Sequence, residues 1–92
     1  MHKNKLVQIV ISNETCQILK SFLKLHNFSE EIIIDAMPPK LVMDEATALD
    51  LRDCLIDNIC YYFDINYELT AEGEIFESLI DEIYDAVDRD NN

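Results

Sequence analysis

Residues 44–63 read DEATALDLRDCLIDNICYYF and residues 70–87 read TAEGEIFESLIDEIYDAV; how these two stretches wind decides the fold. No glycine or proline interrupts the first. At 100° per residue its Ala48, Leu49, Leu51, Leu55, Ile56, Ile59, Tyr62 and Phe63 fill one arc, and Asp50, Asp53, Asp57 and Asp64 fall on the opposite side. In the second stretch Phe76, Leu79, Ile80, Ile83 and Val87 form an apolar stripe, with Glu74, Glu77, Asp81, Asp85 and Asp88 behind it. Asp44 is placed to cap a helix reaching about Phe63, and the next helix begins after Thr70. Only residues 64–69 separate the two, so they are expected to pair as an antiparallel helical hairpin with the acids outward.

Working toward the N-terminus, residues 38 and 39 are both proline and break any regular element, while residues 41–43 (LVM) can pair as a short strand. Residues 29–37 carry two signals. Ser29-Glu30-Glu31 looks like a helix start and Ile32-Ile33-Ile34 looks like strand; the reading here is a short helix. Before them, Cys16, Leu19, Phe22, Leu23 and His26 recur at helical steps in a helix capped by Ser12 or Asn13 and running to about Asn27. The β-branched stretch of residues 6–11 (LVQIVI) reads as a strand. The expected fold is therefore α+β and predominantly helical: a short N-terminal strand or strands, three to four helices, and a C-terminal antiparallel hairpin. At 92 residues the chain holds one core and one domain, 1–92, with a mixed part at 1–43 and the acidic hairpin at 44–90.

Charge follows the same division. The chain has 19 acidic and 7 basic residues, a net charge of −12. Residues 1–40 hold five lysines against four acids, whereas residues 41–92 hold Arg52 and Arg89 against fifteen acids, a net of −13. Such a surface is repelled by phosphate backbones and anionic lipid, which argues against direct nucleic-acid binding or membrane docking and for a basic partner. The longest apolar run is far short of a bilayer span, and residue 1 is not followed by a signal-peptide core, so the expected location is the cytosol.

The chemistry-bearing residues offer little for catalysis. Cys16, Cys54 and Cys60 are odd in number and make no C-x-x-C, so neither a disulfide framework nor a zinc knuckle is indicated. Asp64, Asn66 and Glu68 open like a calcium loop, but Leu69 stands where that loop needs glycine and Ile75 where it needs glutamate. The bland reading is an interhelical turn with Ile65, Tyr67 and Leu69 tucked beneath the hairpin. His26 lies on an apolar stripe, as a core or capping histidine does, and Cys54 and Cys60 sit among aspartates that discourage a thiolate. No catalytic set, cofactor site or metal site is expected. Arg52 falls inside the apolar arc and must snorkel or find a carboxylate such as Asp53, Glu68 or Glu72. Gly73, in the first turn of its helix, is expected to mark a close backbone approach.

The acids carry the functional argument. Like charges four apart, such as Asp53 with Asp57 and Asp81 with Asp85, each cost a helix a few tenths of a kcal/mol. A basic partner would relieve that repulsion and be steered to the site. The candidate partner-binding residues are Asp50, Asp53, Asp57, Asp64, Glu74, Glu77, Asp81, Asp85 and Asp88, with Tyr61 as an aromatic anchor within the acidic arc.

Residues 51–55 (LRDCL) and 63–81 (FDINYELTAEGEIFESLID) resemble the small bacterial immunity proteins of contact-dependent growth inhibition systems. The resemblance implies a cytosolic protein that binds the toxin domain of its own delivery system and blocks it. Many such toxins are nucleases, often cutting transfer RNA, with basic clefts; no functional residues transfer by motif. The expected function is an immunity protein that occludes the active-site cleft of a basic toxin. The alternative is an acidic nucleic-acid mimic or regulator that occupies a host DNA-binding or RNA-binding protein.

Overall fold

A computed structural model describes residues 6–89. Residues 1–5 and 90–92, which hold two of the five lysines (Lys3 and Lys5) and one of the fifteen acids (Asp90) counted above, lie outside the described residues. The first strand, β1 (Leu6–Val10), alternates as its β-branched pattern requires: Val7 and Ile9 are buried, and Leu6, Gln8 and Val10 face out. Helix α1 (Asn13–Leu25) starts where the Ser12 hydroxyl accepts the Thr15 N–H at 3.0 Å, and buries Cys16, Leu19, Phe22 and Leu23. His26 ends it, its N–H donating to the Phe22 carbonyl and its ring 4.4 Å from that of Phe22.

The segment expected as a short helix divides instead. Ser29 caps a single 3-10 turn, Glu30–Ile32, and the chain then extends as β2 (Ile33–Ile34). Three successive β-branched residues resist a helix and fit a pleated, half-buried surface, and Leu41 and Lys40 of β3 (Lys40–Asp44) provide the partner. The result is a three-stranded antiparallel sheet in the order β1-β3-β2, with Val7 opposite Met43 and Ile9 opposite Leu41.

Helix α2 (Glu45–Asn58) begins at Asp44, whose carboxylate accepts the Thr47 N–H at 2.7 Å. The Thr47 side chain and then its backbone N–H hold the Asp44 carboxyl below the ordinary 3.8. Helix α3 (Ala71–Arg89) is the long terminal element.

The expected C-terminal hairpin is not what forms. The helix expected to reach Phe63 ends at Asn58 and tightens into a 3-10 turn, Ile59–Tyr62; an extended bridge pairs Phe63 with Leu69 before α3 begins. The last helix stands single, and its apolar stripe is shared: Phe76 meets Phe22 of α1 at 5.0 Å and Tyr62 at 4.9 Å, while α3 also packs on α2 and β1. The physical reason is the width of the apolar arc on α2. Only Ala48, Leu51 and Leu55 are fully buried there, Ile56 is exposed, and Phe63, beyond the end of the helix, is exposed as well, so α2 alone cannot cover α3. The sheet and α1 supply the rest of a core that also contains Leu79, Ile83 and Val87.

Gly73 is where α3 comes nearest the preceding turn. A Cβ there would stand 2.9 Å from the Tyr62 carbonyl oxygen, 2.9 Å from Tyr62 Cβ and 2.9 Å from a Leu69 methyl. The same carbonyl accepts the Thr70 N–H at 2.7 Å, so it cannot easily retreat. Gly73→Ala, which would favour an unconstrained helix by up to about 1 kcal/mol, is expected instead to destabilise by roughly 1–2 kcal/mol through overpacking. A denaturation midpoint that fell without change of slope would show this; a midpoint that rose would show that the turn yields.

Candidate partner-binding surface

All ten residues expected to bind a partner are exposed. Glu74, Glu77, Asp81, Asp85 and Asp88 share the outward arc of α3, opposite the buried Phe76, Leu79, Ile83 and Val87. No lysine or arginine occurs in residues 71–88 to dilute them. Glu74 in the first turn suits the positive end of the helix dipole, but Asp88 stands at the negative end, where a carboxylate is unfavourable. The like charges at residues 77 and 81 and the carboxylate at residue 88 work against the helix.

Asp50, Asp53 and Asp57 lie on the outer side of α2. Asp53 is tied to Arg52, whose Nη2 donates to its carboxylate at 3.1 Å. The Arg52 guanidinium lies 5.1 Å from the centre of the Tyr84 ring on α3, and its Nε is buried without a hydrogen-bond partner. The guanidinium thus joins the two helices, with one acid and one aromatic face as its surroundings. Asp64 braces its own loop, since its Oδ1 accepts the N–H groups of Asn66 at 2.8 Å and Glu68 at 3.1 Å.

That turn holds what the sequence reading missed. Ile65 and Tyr67, expected to tuck beneath a hairpin, are 92% and 89% exposed, and only Leu69 of that trio is half-buried. Tyr61 is exposed as expected, and Phe63 and Ile56 join it at the surface. The loop is not slack. Asp64 N–H donates to the Glu68 carbonyl, Tyr67 N–H to the Asp64 carbonyl and Thr70 N–H to the Tyr62 carbonyl, and Tyr67 takes a left-handed φ of 62°. A braced loop that presents large apolar side chains to water has the make-up of an interface anchor. The signal available in the sequence was the Asp64-x-Asn66 spacing, which favours a turn closed by the aspartate side chain over a tucked connector.

Cys16 is buried, Cys54 half-buried and Cys60 exposed. Burial, aided by the Asp57 carboxylate, pushes the Cys54 thiol up, away from the nucleophilic form. Burial and the Glu72 carboxylate likewise push the Tyr62 hydroxyl up. Among the described residues no group of three or more His, Cys, Asp and Glu is arranged to hold a metal ion, and no helix is long and apolar enough to cross a membrane. No family model, curated protein or solved structure matches the chain.

Proposed function

We propose that this chain is a stoichiometric protein inhibitor: an immunity protein that binds a basic toxin domain in the cytosol and blocks it. The observation that carries the reading is the outward arc of α3, where Glu74, Glu77, Asp81 and Asp88 stand exposed on one face of a helix whose one base, Arg89, is its last residue. Carboxylates there substitute for the phosphates that a nuclease cleft is built to hold, and the braced loop with Tyr61, Phe63, Ile65 and Tyr67 supplies the desolvated contact that keeps such a complex together. Nuclease toxins that cut transfer RNA fit this chemistry because their clefts are basic.

Inhibition specificity separates this reading from a nucleic-acid mimic. The first partner to test is any basic C-terminal toxin domain encoded beside this chain's gene. The purified protein is expected to abolish that domain's nuclease activity at a one-to-one ratio and to leave unrelated basic nucleases active. Equal inhibition of several unrelated DNA-binding or RNA-binding proteins would identify a mimic instead.

A further inference from the structure

The sheet order leaves β1 at an edge, and that edge forms one wall of a groove. Gln8, Ile9 and Val10 point alternately to the two faces of the sheet, yet all three line a groove of about 190 Å³ whose far wall is Glu82, Asp85 and Ala86 of α3. Consecutive strand residues share a groove only if it runs along the strand's edge. A larger hollow of about 450 Å³ adjoins it through Val10 and Glu82 and continues between the start of α1 and α3, with Ile11, Ile75 and Leu79 among its lining and Glu14 and Glu74 beside them.

Among the described residues the outward backbone groups of that edge are unpaired. Ile11 N–H donates to the Pro39 carbonyl at 3.0 Å, in line with the register that sets Ile9 opposite Leu41 and Val7 opposite Met43. In an antiparallel pair the bonding residues alternate, so Gln8 and Val10 turn their N–H and C=O groups away from β3. Among the described residues no backbone group meets them there.

We propose that this edge accepts an extended segment of a partner protein as a fourth strand, one whose apolar side chains alternate with lysine or arginine. Main-chain bonds to Gln8 and Val10 would hold the segment and its apolar side chains would enter between β1 and α3, while the chain's net charge of −12 and the Glu82 rim would favour basic residues at the alternate positions. No described lysine or arginine lines either hollow. The charge also selects against a second copy of this chain, since joining two β1 edges would bring together two molecules of net charge −12 with their Glu82 rims adjacent. The proposal rests on the reading of a basic partner and adds the place and the conformation in which it binds.

The test is amide exchange by NMR on the whole protein, with a peptide of about ten residues alternating lysine and valine as the probe and the glutamate–valine counterpart as control. The lysine peptide is expected to slow exchange at Gln8 and Val10 by about tenfold or more, and the glutamate peptide to do nothing. Gln8→Pro removes an outward N–H at an edge, where proline is tolerated, and should abolish that protection; Glu82→Gln, which leaves the backbone untouched, should weaken peptide binding severalfold. Unchanged exchange at both amides, equal binding of the two peptides, or a doubled mass by sedimentation without peptide would overturn the proposal. If the lysine peptide shifted only Glu77, Asp81 and Asp88, strand addition would fail while the basic-partner reading stood.

Discussion

Phe76→Ala is expected to lower the stability of the fold by about 3–5 kcal/mol. The side chain is 2% exposed and its ring touches two others, Phe22 of α1 and Tyr62 of the turn before α3. It therefore ties α1, distant in sequence, to α3 and the turn before it, and no neighbour can collapse into the space without dragging a helix with it. Set against roughly 5–15 kcal/mol for a whole domain, this is a large share. Thermal unfolding followed by circular dichroism should show a midpoint lower by about 15–30 °C, or no folded baseline at all. Ile65→Ala is the matched control. At 92% exposure it should shift stability by no more than about 0.5 kcal/mol. Equal losses from the two variants would mean that the loop is packed and Phe76 is not the junction described.

The second large effect concerns association. The triple variant Glu77→Gln, Asp81→Asn and Asp88→Asn keeps side-chain shape and removes three charges from the outward arc of α3. Stability is expected to hold or rise, by about 0.5–1 kcal/mol in total, because like charges four apart and carboxylates near a helix C-terminus are unfavourable. The association rate with a basic toxin domain is expected to fall by about 10–100-fold at low salt. Loss of binding together with loss of stability would make the acids structural. Higher stability with unchanged binding would move the interface off α3.

Much of this fold can be read from the residues, and the failures share a cause. β1, α1 with its Ser12 cap and α2 with its Asp44 cap follow from local patterns, since the stripe and the capping side chain are contained in each segment. Residues 30–34 divided between a 3-10 turn and a strand because β3, found further along the chain, offered them a ladder. The expected hairpin failed for a related reason. The angles of residues 44–63 describe an ideal helix, but the backbone tightens after Asn58 and the Asp64 carboxylate organises a loop that ends the pairing of α2 with α3 as simple arms.

The acids of the candidate surface were legible individually, because a charged side chain opposite an apolar stripe is outward by geometry. Ile65, Phe63 and Tyr67 were not, because hydrophobicity argued for burial and only the braced turn exposes them. The β1 edge was invisible for a different reason: which strand lies outermost depends on the order β1-β3-β2, a property of pairing and not of any one strand.

The central claim is that an acidic surface steers a basic protein to this chain, and its most direct measurement is the association rate constant with a basic toxin domain as a function of ionic strength. Between about 30 and 300 mM salt the rate is predicted to fall by about tenfold or more, with dissociation changing far less. A rate that stayed constant across that range would contradict the account.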